Sequence, residues 1–541
     1  MNPYVAPGLV VVVLITVGIG AYGLRFARTT SDFLVASRSV SPAWNAAAIG
    51  GEYLSAASFL GVAGLVLRYG VDVLWYPVGF AAGYLALLLF VAAPLRRSGA
   101  FTLPDFCEVR LRSPLLRRLA TVFVVFIGCL YLVPQLQGAG LTFTTVTGGR
   151  YEWGALLVGL VVTANVALGG MRAITFVQAF QYWLKLTALA VPVIFLALQW
   201  QADGRPAVTP PAGPVFSAAT TVVVEQDALL DGTVRVQKGE ELTFAAGDPV
   251  PQVSSVDDNR GTAWLLPGGE AGLFATYSLI LATFLGTMGL PHVLVRFYTN
   301  PDGASARRTT LVVLALVGLF YLLPTLYGVL GRIYTPQLLM TGRTDAVVLL
   351  LPEAALGGGH LGQALGALVT AGALAAFLST SSGLLTSVAG VVFTDVLHAD
   401  RGGSIRDFRV ATVLAALVPM ALSFHVADLD VSRVVGLAFA VAASSFCPLL
   451  VLGIWWRGLT DVGAAAGIVV GGGAAMAAVL LTVMGPPLGG WAGQLIGQPA
   501  AWSVPLAFVV MIAGSLLTKQ RIPANVGSTM VRLHAPESVR L

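Results

Sequence analysis

The chain has 541 residues, 56% hydrophobic and 11% charged, with a formal net charge of +5 and a mean hydropathy of +0.83. Soluble domains carry about 25% charged residues, so the composition excludes a soluble protein and indicates a polytopic membrane protein. Lysine and arginine are scattered through short loops with no continuous patch, which argues against nucleic acid as a partner, and Cys107, Cys129 and Cys447 suggest no disulfide framework.

Thirteen apolar segments are predicted as spans, at residues 5–24, 42–66, 73–94, 119–147, 154–168, 174–199, 271–290, 309–331, 361–392, 408–427, 434–454, 462–483 and 501–518. The first has no basic n-region and no small-x-small site, so it reads as a retained span rather than a signal peptide. The second contains Gly50-Gly51-Glu52: two helix weakeners, then a carboxylate at mid-bilayer depth. Such a charge costs roughly 2.5–3.5 kcal/mol on insertion scales, and it marks a functional site by default. The sixth contains Lys185, the other deep charge. At about 1.5 Å per residue both lie about 15–17 Å in. Because buried charges are normally paired, Glu52 and Lys185 are expected to pair, directly or through water, either as a structural pair or as a relay for a proton or a substrate carboxylate. Gln178 and Gln181 are expected to share the lysine's helix face.

Residues 201–270 form the one sizeable polar segment. Acidic residues outnumber basic ones there, and Thr220–Val224 and Thr233–Phe244 flank an Asp231-Gly232 turn signal that predicts a β-hairpin. The seventh segment ends in Gly286-Thr287-Met288-Gly289-Leu290-Pro291. It stands to the five segments within 271–454 as the Gly50-Gly51 segment stands to the five within 41–200, in opposite orientation. Glycine is common in membrane helices as a packing residue, but interruptions at matched positions of inverted halves point to a substrate site at the midplane. The larger share of Arg and Lys, including Arg25, Arg28, Arg38, Arg96, Arg97, Arg117, Arg118, Arg307, Arg308, Arg401 and Lys519, falls in one set of alternate loops. The positive-inside rule then puts the N-terminus outside a plasma membrane and the 519–541 tail in the cytoplasm.

Four motifs, GEYLSAASFLG (51–61), GGMRAITFVQ (169–178), GLPHVLVRF (289–297) and ALAAFLSTSSGLL (373–385), together with Asp32–Ala36, resemble the sodium:solute symporter family, most of all its bacterial cation/acetate (monocarboxylate) members. The resemblance implies an all-α LeuT-type fold: an extra helix at 5–24, inverted five-helix repeats at 41–200 and 271–454, and two added helices within 455–518. It implies a cation site built from the carbonyls of Gly51, Leu54 and Ala376 and the hydroxyls of Ser379 and Thr380. Helix packing alone would also account for the serine and threonine run. It further implies substrate contacts at Tyr53, Ser55, Gln135, Gln137, Thr283, Thr287, Ser444 and Ser445, where small hydroxyls suit a small carboxylate. Pro291, His292 and Arg296 match a family signature and are expected to anchor loop geometry at the end of their helix. One departure stands out: Phe176 occupies a position that is aspartate in many relatives, which puts a second sodium site in doubt.

The expected function is cation-coupled import of a short monocarboxylate such as acetate, pyruvate or propionate, with Na⁺ or H⁺ as coupling ion and no organic cofactor. Another solute, such as an amino acid, or a nutrient sensor remains the alternative. A membrane enzyme is disfavoured, because His292, His360, His398, His425 and His534 form no cluster in the sequence.

Overall fold

A computed structural model of the chain describes residues 2–23, 40–208, 213–224, 226–254, 256, 258–266, 272–397, 404–424, 431–486 and 488–537. The Asp32–Ala36 stretch, Arg25, Arg28, Arg38, Arg401, His398 and His425 lie outside them.

Helix α1 (Val5–Gly23) is followed by α2 (Pro42–Tyr53), which starts on a proline whose missing N–H costs nothing in a first turn. The chain leaves the helix at Leu54 (φ −76°, ψ 85°) and re-enters through a π-helical turn at Ala57–Gly61 into α3 (Val62–Tyr69). The break therefore lies after Tyr53, not at Gly50-Gly51 as the sequence suggested. The glycines are helical because they serve contact: a Cβ on Gly51 would sit 2.2 Å from the Gln178 carbonyl oxygen, and one on Gly50 would meet the Tyr182 ring at 2.9 Å. Helix α4 (Trp75–Ala86) runs on through a second π turn to Arg97. Helix α5 (Pro114–Thr147) is N-capped by the Ser113 hydroxyl. Helix α6 (Tyr151–Ala202) turns sharply at Gly170 (φ 63°, ψ 175°), a conformation open to glycine, and so forms two successive helical segments.

The polar segment carries two antiparallel ladders. Strand β1 (Thr220–Val223) pairs with β4 (Glu241–Phe244), and β2 (Ala228–Leu230) pairs with β3 (Val234–Val236) around Asp231-Gly232, both at positive φ. The nested arrangement differs from the single predicted hairpin, although the turn is where it was expected. Further on, Trp264 Nε1 donates to the Val66 carbonyl at 2.8 Å, fastening this segment to the end of α3.

Helix α7 (Gly272–Gly289) stops at Leu290 (φ −71°, ψ 115°), and α8 (Pro291–Phe297) resumes at once. There follow α9 (Gly303–Tyr334), capped by Asp302, and α10 (His360–Val391). A Ser404–Asp407 capping box opens α11 (Ile405–Ser423), and α12 (Val431–Trp455) follows. Helix α13 (Asp461–Gly467) passes through a π turn into α14 (Gly473–Met484), and α15 (Ala500–Leu517) is the last long helix. Arg332 of α9 donates to the Leu67 and Asn259 carbonyls at 2.8 Å each and lies 4.8 Å over the Trp264 ring, which strengthens the clamp on α3.

Helix α10 is buried along most of its length and lies against α6 and α5; α2 crosses α6, and α7 packs between α4 and α12. The outer helices expose apolar side chains, such as Val410, Leu414, Leu417 and Val418 on α11, as a surface facing hydrocarbon should. Among the described residues eleven helices are long and apolar enough to cross a membrane, against thirteen expected spans. Residues 57–97 enter that tally as one 41-residue run, roughly twice the length that a bilayer core needs. Helix length alone therefore does not establish thirteen.

Candidate functional site

The break after α2 exposes backbone groups that a continuous helix would satisfy, and side chains from three other helices satisfy them. Lys185 of α6 sends its ammonium to the Gly51 carbonyl (2.5 Å), the Leu54 carbonyl (2.7 Å) and the Ser379 hydroxyl (3.0 Å). Thr380 donates to the Glu52 carbonyl at 2.6 Å. On the far side of the break, the Ala56 N–H donates to Gln135 Oε1 of α5 at 2.9 Å. The C-terminal end of a helix carries partial negative charge, so a cation at the end of α2 is favourably placed. Lys185, Ser379, Thr380 and Gln135 are all fully buried.

Glu52 does not take the lysine as its partner. Its carboxylate accepts from Arg296 Nε of α8 at 2.6 Å, and both side chains are buried. The same guanidinium donates to Thr175 Oγ1 (2.9 Å), contacts the Met171 sulfur (3.0 Å) and reaches Gln178 Oε1. Gln178 in turn donates to the Ser379 carbonyl at 2.8 Å. Asn45 of α2 donates to the Arg296 carbonyl at 3.1 Å. The expected Glu52–Lys185 pair is thus replaced by a Glu52–Arg296 pair. The physical reason is donor geometry: a guanidinium presents a fork that serves carboxylate, hydroxyl and amide together, whereas an ammonium suits a ring of separate oxygens. Arg296, expected to anchor loop geometry, instead bridges the two broken helices. Gln181 faces α1, donating to Thr16 at 3.2 Å, and does not join the lysine.

Of the expected cation ligands, Gly51, Leu54 and Ser379 converge on one point, which Lys185 Nζ fills. Ser379 also donates to the Ala376 carbonyl at 3.1 Å, and Thr380 is turned to Glu52. Beside this point lies an aromatic wall. Tyr53 meets Tyr84, Phe80 and Phe439 edge-on at 4.7, 5.6 and 6.2 Å, and Tyr131 lies 5.8 Å from Phe439 and 5.3 Å from His292. The Tyr53 and Thr287 hydroxyls are 2.8 Å apart, linking the two breaks. Ser55 and Gln137 are buried. Thr283 is engaged by its own helix through the Leu279 carbonyl (2.8 Å). On α12, Ser444 contacts Ser503 of α15 at 2.7 Å and Ser445 packs against Gly472.

Sequence reasoning does not place Phe80, Tyr84, Tyr131 or Phe439 at the site, and it gives Gln178 and Arg296 other roles. These aromatics come from three helices, and although Phe80 and Tyr84 stand one turn apart on α4, only the fold brings Tyr131 and Phe439 to them. Arg296 did carry a signal, being a lone charge on a buried apolar half-helix six residues from the Leu290 break. Phe176, at the departure noted above, is 39% exposed and packs edge-on against Trp44 at 5.5 Å.

The profile of the family described as "Sodium:solute symporter family" matches residues 33–204 and 256–471. The chain belongs to this family. The interval between the matched regions contains all four strands. The symporter is 29% identical to an uncharacterised symporter, YwcA, of Bacillus subtilis (strain 168), over 94% of its own length and 93% of the relative's. It is 31% identical to a monocarboxylic acid transporter of Corynebacterium glutamicum, over 92% and 88% respectively. Among solved structures it resembles a Na⁺-coupled sialic acid symporter in a substrate-bound outward-open state, with TM-score 0.64 and 14% identity, covering 95% of this chain and 97% of that one. It also resembles a nucleobase–cation symport transporter in a closed conformation, with TM-score 0.50 and 13% identity, covering 93% and 99%. These likenesses establish the LeuT-type fold, and membership of the family makes the chain an integral membrane, cation-coupled solute symporter rather than an enzyme.

Proposed function

We propose that this symporter imports a short-chain monocarboxylate, such as acetate, pyruvate or propionate, by alternating access. The observation that carries the reading is the pairing of hydroxyls from both breaks, Tyr53 with Thr287, beneath a tight aromatic wall. Tyr53 donates to Thr287, which donates to the Thr283 carbonyl. A carboxylate entering between the two half-helices would take over the tyrosine donor, with its short apolar chain against the surrounding rings. The substrate named for the Corynebacterium relative agrees with this. Tyr53, Ser55, Gln135, Gln137 and Thr287 are the proposed contacts, and Thr283 supports Thr287 from one turn away. The inverted repeats at 41–200 and 271–454 would rock against each other about this junction. A plasma-membrane location, with the N-terminus outside and the tail in the cytoplasm, follows from the loop arginines.

The test is uptake of labelled acetate and pyruvate by proteoliposomes under an imposed cation gradient, with unlabelled competitors. Acetate, pyruvate and propionate should compete, while amino acids should not. Competition by proline or alanine instead of the acids would overturn the substrate assignment.

A further inference from the structure

We propose that the Lys185 ammonium is the resident cation of this symporter, standing where a sodium ion would otherwise bind and excluding one from that place. The proposal rests on the reading of the chain as a cation-coupled importer and says what fills its cation site. An ammonium has three donors, and Lys185 Nζ has three acceptors, the Gly51 and Leu54 carbonyls and the Ser379 hydroxyl, at 2.5–3.0 Å. These are three of the five oxygens assigned from sequence to a cation. The other two are engaged within the protein: the Ala376 carbonyl accepts from Ser379, and the Thr380 hydroxyl is given to Glu52. A sodium ion would have to share those oxygens with a positive charge already bonded to them, so the ion and the ammonium compete for one place.

The charges around it fit this role. Glu52, on α2, is the carboxylate whose field reaches Lys185, and it is already bonded to Arg296 of α8. Helix α10 presents the Ser379 and Thr380 hydroxyls. Nearby on α6 itself, Tyr182 donates to the Leu316 carbonyl of α9, and Tyr327 of α9 donates to the Leu189 carbonyl. The lysine is thus held by neutral oxygens, with no carboxylate bonded to it. With its proton, the group of Lys185, Glu52 and Arg296 carries one positive charge, as a sodium-loaded site would.

The three bonds of the ammonium tie α2, at Gly51 and Leu54, to α10, at Ser379. Arg296 cannot take this place, because its guanidinium is already held by Glu52, Thr175 and Gln178.

Two measurements on the full-length protein test the proposal. In the first, proteoliposomes take up labelled pyruvate with and without an imposed sodium gradient at equal pH, against protein-free liposomes. The sodium gradient should not raise accumulation by wild type. Accumulation that requires sodium would overturn the proposal. The second needs no substrate: thermal unfolding of the purified protein in NaCl against choline chloride at equal ionic strength. Wild type should show no sodium-specific rise, and Lys185→Ala should gain one. A sodium-specific rise in wild type that disappears in Ser379→Ala would overturn the proposal. Failure of every acid to enter with or without the gradient would instead sink the substrate reading, and the unfolding comparison would still decide the cation.

Discussion

The two helix breaks occupy matched places in the chain, yet they are closed by different physics. At the first, the backbone groups freed around Leu54 are taken up by side chains: Lys185 and Thr380 on the carbonyl side, Gln135 on the N–H side. The second, at Leu290, is closed by backbone approach: Cβ atoms on Gly286 and Gly289 would lie 2.5 and 2.4 Å from the Phe439 and Ala442 carbonyl oxygens of α12. The first break is therefore an electrostatic joint, whose strength depends on the charge and hydrogen bonds held at it. The second is a packed joint, whose strength depends on shape. Arg296 couples them, since it sits on the half-helix after the second break and holds the carboxylate before the first.

The comparison breaks most severely at that coupling. Removing one member of a buried, hydrogen-bonded pair strands the other charge, at a cost of about 3–5 kcal/mol. Arg296→Met and Glu52→Gln should each lower the thermal unfolding midpoint steeply and abolish uptake. The double variant should recover much of the stability, because no stranded charge remains, but not the transport. If each single variant unfolds as wild type does, the pair contributes nothing to joining the breaks.

How far this was legible beforehand depends on the kind of signal. Composition, apolar segment positions and the two interruptions follow from local chemistry, and the family follows from four motifs in order. The convergence of Gly51, Leu54 and Ser379 came from the resemblance, and Lys185 was singled out by depth alone. Its partner was not legible. Depth places Glu52 and Lys185 at one level, but level says nothing about azimuth, and Arg296 enters from a half-helix whose direction is set only after the chain breaks at Leu290. Gly50-Gly51 misled about the break because glycine reads alike whether it frees the backbone or admits a neighbour. A fully buried helix such as α12 offers no periodicity to tell which face meets the site and which meets α15, so sequence alone does not orient Ser444 and Ser445.

A smaller effect sharpens the contrast between the joints. Gly289→Ala pushes against backbone that cannot yield, and overpacking of this kind costs about 1–3 kcal/mol. Uptake and stability should fall together. Thr380→Val removes one hydroxyl bond, worth about 1 kcal/mol, so the unfolding midpoint should move little. Because that bond ties α2 to α10, the maximal uptake rate should drop by more than stability accounts for. Equal proportional losses in the two variants would show that the joints do not differ in kind.

The smallest expected effect falls on Ser444. Its hydroxyl bonds to Ser503 and to its own helix at the Ala440 carbonyl, and it lies on the side of α12 turned towards the last helix. Ser444→Ala leaves Ser503 still donating to the Pro499 carbonyl at 2.7 Å, so no buried donor is stranded and the loss should stay below about 1 kcal/mol. The half-saturating substrate concentration should match wild type, whereas Thr287→Val, which deprives Tyr53 of its partner across the two breaks, should raise it. A clear rise in the Ser444 variant alone would mean that α12 turns this face towards the substrate during the cycle, and the packed joint would then have to open as the electrostatic one does.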